Sequence, residues 1–250
     1  MLYSNLQPLP RDTKTGVLYR VSDYPHIASL VAIPVVLVEI GNIAREFPVV
    51  WQSMGDRLSL VALTGLAPGT GLSANRDITN EDISLLALKA YPFTVAPGDY
   101  AASRPVLVDH AEVRPGAQPI NMYDSHGRFT RDALMRLAAT RVFAHSQAKT
   151  ARFSQLLHAA GLMQPWEFAL QFGERTLSLA GLYTLTRDTQ ALYEKLTPLV
   201  EELGHEIVQL VEAHEISLFR MNDLARSFAT ISSAWTQIRA PAAGSADNAP

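Results

Sequence analysis

Cysteine is absent from the 250-residue sequence. Its absence excludes disulfide bonds, thiolate metal sites and cysteine nucleophiles, and it is compatible with a reducing compartment. A basic excess is absent too, because the formal net charge is -3 and the sequence pI is about 6.2. Proteins that attract nucleic acid electrostatically carry a clear excess of Lys and Arg. The sequence therefore predicts no nucleic-acid partner.

Long hydrophobic runs are also absent. The longest apolar run, residues 27–40, contains Pro34 and Glu39 and is shorter than the roughly 20 residues that a transmembrane helix needs. The first residues lack the basic start and apolar core of a cleavable signal peptide. The sequence thus predicts a soluble, cytoplasmic protein without a membrane span.

Apolar residues are plentiful, at 48% of the sequence, and charged residues make up 18%. This balance is ordinary for a globular protein with a substantial core. We expect a single α+β domain over residues 1–239, with a subdivision near residue 126 as the alternative. Residues 240–250 are small and polar, and their composition predicts a disordered tail.

The clearest local pattern is a β-hairpin at residues 167–184. Apolar and polar residues alternate on both sides of a central Gly-Glu pair, which would form a two-residue turn. The register then pairs Leu170 with Leu177 and Phe168 with Leu179 on one apolar face. That face needs a cover, and the helical patterns that flank the hairpin are the expected cover.

The N-terminal half is predicted to be mostly β, with short helices. Two runs rich in β-branched and large apolar residues, 49–51 and 58–63, flank a Met-Gly-Asp turn and predict paired strands. A further strand is predicted within residues 105–113. Short helices are expected with Pro34 in the first turn and, farther on, with Asn80 as the N-cap.

Helical periodicity dominates the C-terminal half. A helix is predicted from the N-cap Thr130 to about His158. Its buried seam has three- and four-residue spacing and comprises Phe143, Ser146, Thr150, Phe153 and Leu157. After the hairpin, a short helix should end at Thr197-Pro198 and a longer one should follow. The apolar stripe of that longer helix comprises Val200, Leu203, Ile207, Leu210, His214, Leu218 and Met221.

Two motifs on predicted helices lack some of the ligand residues that a metal site needs. His205-Glu206 begins the zinc-helix motif HExxH, but Gln209 stands where the second histidine is required. Glu202 and His205 have the spacing of a di-iron bundle, but such a site needs two pairs of this kind and further carboxylates. We therefore predict no metal and no cofactor, and no catalytic residue can be assigned.

One metal alternative remains open at His110 and Glu112. Their spacing matches half of a two-histidine, one-carboxylate iron site, whose third ligand would be a distant His126 or His158. An exposed strand edge is the other interpretation of the same tripeptide. The alternative function is therefore a metal-dependent oxygenase or hydrolase with ligands dispersed through the fold.

A basic face is predicted on the helix that begins at Thr130. The residues that share this face, and that could hold a phosphate, are Arg141, His145, Lys149 and Arg152. A later segment is rich in glutamate, at Glu201, Glu202, Glu206, Glu212 and Glu215. Because the net charge is negative, we favour these carboxylates as internal counter-charges over a phosphate site.

His214 is the strongest single candidate for binding, because it interrupts an apolar stripe and has Ser217 one turn farther on. A buried polar pair must find hydrogen-bond partners or a ligand. A structural core histidine and a ligand pocket are the two alternatives. We expect Tyr183 to join His214 and Ser217 in a polar cluster that links the hairpin to the long helix, since its hydroxyl needs a partner.

Five short motifs follow one another along the chain. They are Glu39 followed by Glu46-Phe47-Pro48-Val49-Val50-Trp51, then Tyr91-Pro92-Phe93, then NMYDSHGRFT at 121–130, then Gly181-Leu182-Tyr183-Thr184, then Ala213-His214-Glu215-Ile216-Ser217-Leu218. This series resembles the SapC family of bacterial proteins, named for a surface-layer-associated member, over about residues 6–228. The family segment written NLFvdadGrW has no good counterpart in GLSANRDITNEDIS.

The resemblance implies an accessory role. Relatives are associated with iron and 2-oxoglutarate hydroxylases, tryptophan-halogenase-like flavoproteins and TonB-dependent receptors. The resemblance therefore implies a non-catalytic, SapC-like binding protein that acts with a small molecule, a peptide or a partner enzyme of the oxygenase or flavoprotein halogenase type. Under the same resemblance, the metal-dependent alternative would be an oxygenase that uses iron and 2-oxoglutarate.

Overall fold

The computed structural model describes residues 1–9, 16–55, 57–71, 84–96, 105–172 and 175–239. The strands within these ranges are β1 (Leu6–Pro8), β2 (Val17–Leu18), β3 (Ala32–Pro34), β4 (Val49–Met54), β5 (Arg57–Leu63), β6 (Phe93–Val95), β7 (Val106–Asp109), β8 (Ile120–Asn121), β9 (Met163–Pro165), β10 (Phe168–Phe172), β11 (Arg175–Leu179) and β12 (Leu182–Leu185). The α-helices there are α1 (Pro25–Ala28), α2 (Ile40–Ile43), α3 (Leu86–Ala90), α4 (Arg131–Ala159), α5 (Thr189–Leu203), α6 (Glu206–Ser217) and α7 (Arg220–Arg239). β1 to β8 and the short helices precede α4, and β9 to β12 and the longer helices α5, α6 and α7 follow it, so the predicted α+β class is confirmed.

A five-stranded antiparallel sheet, in the order β3-β5-β4-β12-β9, forms the centre of the fold. The predicted pair of strands is its middle, where β4 and β5 run antiparallel with Trp51 opposite Leu60. The prediction for Pro34 is wrong, because this residue ends β3 and does not begin a helix. Proline is tolerated there since β3 is an edge strand and needs no N–H for a further neighbour. Helical structure begins only at the 3₁₀ turn Leu37–Glu39, which leads into α2.

Two smaller sheets complete the N-terminal half. One has the order β1-β7-β6 and the other pairs β2 with β8. The strand predicted within residues 105–113 is β7. Asn80, the predicted N-cap, lies outside the described residues, and the helix seen near it is α3.

The predicted hairpin is formed by β10 and β11. Its register pairs Leu170 with Leu177 and Phe168 with Leu179, as the alternation predicted. The expected turn residues, Gly173 and Glu174, lie outside the described residues.

The far end of the predicted hairpin belongs to another strand. Gly181 has a φ of +73°, a conformation that favours glycine, and it turns the chain away after β11. Residues 182–185 then form β12, which pairs with β4 and β9 of the central sheet. The prediction that the hairpin extends to Thr184 is therefore wrong.

The two faces of the central sheet have different covers. Val49 and Trp51 of β4 point to a large core that they share with α2, α3, α4, α5 and α6. Val50, between them, points to the opposite face. There it clusters with Met221 of α7 and is covered by the apolar side chains of the hairpin, namely Phe168, Leu170, Leu177 and Leu179. The hairpin and α6 thus lie against opposite faces of the sheet.

The C-terminal helices follow the prediction in part. α4 begins after Thr130, whose Oγ1 accepts a hydrogen bond from the Ala133 N–H, as predicted. The predicted break at Pro198 is wrong, because α5 continues through this residue to Leu203. The chain breaks instead at Gly204, with a φ of +78°, where a glycine is favoured as the residue that ends a helix. The single long helix that was predicted is therefore parts of α5, α6 and α7, and the predicted tail at 240–250 lies outside the described residues.

Candidate functional site

His214 lies on the buried face of α6 and is 1% exposed. Its Nδ1 is 2.7 Å from the Val49 carbonyl oxygen, and the Leu185 N–H points at its Nε2 over 3.3 Å. A carbonyl oxygen only accepts and a main-chain N–H only donates. The ring is therefore the neutral tautomer that carries its proton on Nδ1, and both ring nitrogens have protein partners.

Ser217 completes the link between α6 and the sheet. Its Oγ accepts from the Val49 N–H at 2.9 Å and donates to the His214 carbonyl at 2.6 Å. Val49, His214 and Ser217 are named the sheet anchor below. The pairing of β12 with β4 extends from Leu182 to Tyr183. Beyond this pairing, His214 and Ser217 provide hydrogen-bond partners for the main-chain carbonyl and N–H of Val49.

The protonation of His214 follows from its burial. Removal from water lowers the pKa of the ring to about 4, although the Val49 carbonyl favours the charged form. The ring is thus neutral near pH 7 and packs 4.9 Å from the Trp51 ring, centroid to centroid. These contacts are those expected of a structural histidine, one of the two alternatives that the sequence left open.

Tyr183 has different neighbours. It lies opposite Trp51 in the sheet, and its ring is 6.4 Å from the ring of His158 on α4. The predicted polar link between the hairpin and the long helix is wrong, because His214 and Ser217 bond to β4 and β12 and the hairpin covers the other face of the sheet. The structure thus brings two of the three predicted residues together directly and places Tyr183 beside α4.

A cleft of about 740 Å³ lies on the other side of α6. Its walls are the Leu37–Glu39 turn with α2, the middle of α4, and α6. Buried small and apolar residues contribute to its lining, namely Ile40, Ala44, Ser146 and Ala213. Exposed charged or titratable side chains also line it, namely Arg45, His145, Lys149, Glu206 and Glu212. The volume is in the range of small-molecule sites.

Ion pairs between helices account for part of the predicted basic face. Lys149 pairs with Glu206, and Arg152 pairs with Glu202 at 2.7 Å. These pairs support the interpretation of the glutamates as internal counter-charges. Within the described ranges, no ion pair involves Arg45, His145 or Glu212.

Large exposed apolar side chains line this cleft or follow its lining along the chain. Val38 is 63% exposed and Ile216 is 58% exposed, and both line the cleft. Phe219, one turn beyond Ile216, is 77% exposed. Ile216 and Phe219 are three residues apart, and neighbouring exposed apolar side chains mark binding surfaces.

Glu39 is a buried carboxylate that holds two segments together. It accepts hydrogen bonds from the Val36 N–H at 3.0 Å and from the Leu86 N–H at 2.7 Å. Burial raises its pKa to about 7, against the effect of these two bonds and of Lys89, which favour the charged form. The sequence contained Glu39 as a motif residue but no sign of its partners.

Asp109 and Arg136 were missed by the sequence analysis. Asp109 accepts from the Asn5 N–H at 2.6 Å and from the Tyr91 hydroxyl at 2.8 Å. Arg136 donates to the carbonyl oxygens of Tyr91 and Tyr19 at 2.7 and 2.8 Å. The α4 seam, extended backward from Phe143 at the same spacing, reaches Thr140 and Arg136, and this was the available signal. The helical spacing could indicate that Arg136 is buried, but it could not indicate which backbone carbonyls the side chain binds.

The metal alternative gains no support from the geometry. Within the residues that the structure describes, no three His, Asp or Glu side chains form a group that could hold a metal ion. His110 and Glu112 are thus not joined by His126 or His158. The main-chain N–H of His110 bonds to the Asn5 carbonyl.

Comparisons with other proteins agree with the motif series. No helix in the described part of the chain has the length and apolar character needed to cross a membrane. No curated protein and no solved structure shows significant similarity to the chain. The SapC family model matches residues 15–224, which contain all five motifs. On this match over most of its length, the protein belongs to the SapC family.

Proposed function

We propose that this protein is a non-catalytic accessory protein that binds a small molecule, a peptide or a partner enzyme in the cleft between α2, α4 and α6. The observation that carries the proposal is the composition of this cleft. Its lining combines buried small residues with exposed charges, and Arg45 and Glu212, which belong to different elements, have no ion-pair partner among the described residues. Apolar surface with a few polar groups that fix orientation is typical of ligand sites.

The sheet anchor supports this role by fixing one wall of the cleft. His214 and Ser217 hold the inner face of α6 against Val49. Ala213 and Ile216, on the same helix, line the cleft. The predicted binding residues His214 and Ser217 would then act on a ligand indirectly, as positioning residues for α6.

The non-catalytic assignment rests on how the buried titratable groups are used. His214, Glu39 and Asp109 each hydrogen-bond to main-chain groups, which is the pattern of structural side chains. The family resemblance supports a partner enzyme of the oxygenase or flavoprotein halogenase type. The absence of cysteine is compatible with the cytoplasm as the proposed compartment.

A single domain is part of the proposal. The main core cluster contains residues from Leu2 to Ala213 and so joins elements from both sides of residue 126. One core shared by both halves favours one domain over a subdivision there.

A blocking variant tests the function. Gly41 lines the cleft, and a Cβ added to it would meet nothing within 4 Å. Gly41→Phe should therefore place a phenyl ring in part of the cleft without disturbing the fold. Asn42→Phe is the matched control, because it adds a phenyl ring at the next position, which is exposed and is not part of the cleft lining.

The measurement is a screen of small molecules and short peptides by amide chemical shifts. Ligands should shift amides of α2 and α6 in the parent and in Asn42→Phe, and these shifts should be lost in Gly41→Phe. Ligands that bind Gly41→Phe as well as the parent, or a screen without any binder, would contradict the proposed function.

A further inference from the structure

We infer that the occupant of the cleft is a peptide segment of a partner protein, with an apolar side chain at one end and charged residues of both signs behind it. The inference rests on the proposed function and names the ligand class. It is carried by the order of side chains along the cleft and by the exposure of Phe219.

The cleft is elongated along α6. Glu206, Gln209, Ala213 and Ile216 line it at intervals of three or four residues. Ten residues of α-helix separate the first from the last, and at 1.5 Å per residue this is about 15 Å. Such a groove accommodates several residues of a peptide.

The two ends of the cleft differ in chemistry. At the Glu206 end, Lys149 and Glu206 neutralise each other. At the Ile216 end, the cleft lining carries the apolar side chain of Ile216, which is 58% exposed. An occupant therefore gains most by placing its apolar group at the Ile216 end.

Two charged side chains of the cleft lining are complementary to a segment that carries both signs. Arg45 follows α2 and Glu212 lies on α6, and neither has an ion-pair partner among the described residues. An acidic residue of the peptide would meet Arg45 and a basic one would meet Glu212. Facing charges of opposite sign set the orientation of a bound segment.

Phe219 favours a peptide over a small molecule. It is the most exposed of the three apolar side chains and lies one turn beyond the cleft lining. A ligand confined to the cleft would leave this ring in water. A peptide that continues past Ile216 covers it, and exposed aromatic side chains are typical anchors of protein interfaces.

The test is selection from a random peptide library on the full-length protein, with removal of peptides that bind Gly41→Phe. Enriched peptides should share an aromatic or aliphatic residue and charges of both signs. A synthetic peptide of the shared sequence should bind Asn42→Phe like the parent. Its affinity should fall at least about tenfold with Gly41→Phe and severalfold with Phe219→Ser.

Charge reversal tests the orientation. Arg45→Glu should weaken binding of the selected peptide. A peptide in which lysine replaces the acidic residue should bind the Arg45→Glu variant again but should not bind the parent more tightly. If the affinity of the peptide is unchanged by the substitutions of Arg45, Phe219 and Gly41, the inference is wrong.

The outcomes separate this inference from the proposed function. If small molecules shift cleft amides in a Gly41-dependent manner and no peptide is enriched, the function stands and the peptide inference is wrong. If the parent dimerises in analytical ultracentrifugation and Gly41→Phe makes it monomeric, the occupant is a second copy and the inference is also wrong. If neither small molecules nor peptides bind, both proposals fail.

Discussion

The ring of His214 donates to the carbonyl oxygen of Val49 over 2.7 Å, although the two residues are 165 positions apart in the chain. Apolar packing is not directional, so it leaves a helix some freedom to slide on a sheet. A buried hydrogen bond with defined geometry removes that freedom, because any shift leaves both groups without partners. The sheet anchor therefore sets the position of α6 and, through it, the width of the cleft.

Replacement of His214 by leucine should destabilise the protein. The Val49 carbonyl and the Leu185 N–H would both stay buried without their partners, at a cost of about 1 to 3 kcal/mol for each such group. His214→Gln should cost less, because an amide keeps one donor and one acceptor. Glu215→Ala, on the exposed side of α6, should be near neutral. Urea unfolding of the three variants checks the order, and a parent-like His214→Leu would show that the sheet anchor contributes little.

Acid should weaken the fold through the same ring. The pKa of His214 is about 4 in the folded protein, whereas that of an unperturbed histidine is about 6.5. Between these values the unfolded chain binds a proton that the folded protein does not, so the stability is fully present above about pH 6.5 and decreases toward pH 4. The total is about 3 to 4 kcal/mol. The free energy of unfolding of the parent minus that of His214→Gln should fall by this amount over the window, and a constant difference would count against a neutral buried ring.

Local patterns in the sequence predicted the elements that depend on near neighbours. The alternation around the hairpin is sufficient to pair Leu170 with Leu177, and the spacing of the α4 seam is sufficient to bury Phe153 and Leu157. In both cases the side-chain period itself decides which residues share a face. The N-cap at Thr130 depends on one residue and was likewise predictable.

Contacts between distant segments were not predictable in the same way. A stripe on α6 shows that His214 is buried, but it does not tell which surface covers it, and the hairpin was the nearest apolar candidate in sequence. That β12 leaves the hairpin and joins β4 depends on the turn at Gly181 and on pairing with residues about 130 positions away. The cleft depends on three separate elements, so no single stretch of sequence could indicate it.

Arg136 should be a second sensitive position. Its guanidinium is buried and donates to the carbonyl oxygens of Tyr91 and Tyr19. Arg136→Met would fill much of the volume but leave both carbonyls without this donor, at a cost of about 1 to 3 kcal/mol for each. Arg141→Met, at an exposed position of the same helix, is the control and should change stability by about 0.5 kcal/mol or less. Thermal melts that rank Arg141→Met as the less stable variant would contradict the assignment.

Glu39 should give the opposite pH dependence to His214. Burial raises its pKa to about 7 in the folded protein, whereas an unperturbed glutamate has a pKa of about 4.3. Between these values the folded protein holds a proton that the unfolded chain has lost. The contribution to stability is therefore fully present below about pH 4.5 and is lost as the pH rises to about 7, by about 3 to 4 kcal/mol.

The variant Glu39→Gln isolates this effect, because an amide does not titrate in this range. The free energy of unfolding of the parent minus that of Glu39→Gln should decrease as the pH rises from 4.5 to 7. The window overlaps that of His214 and the slopes have opposite signs, so in the parent the two contributions offset each other. Each single variant should therefore show a steeper profile than the parent, Glu39→Gln losing stability toward acid and His214→Gln losing it toward neutral pH. If the profiles of both variants instead run parallel to that of the parent, neither group changes its protonation on folding, and the sheet anchor and the Glu39 carboxylate act through hydrogen bonds alone.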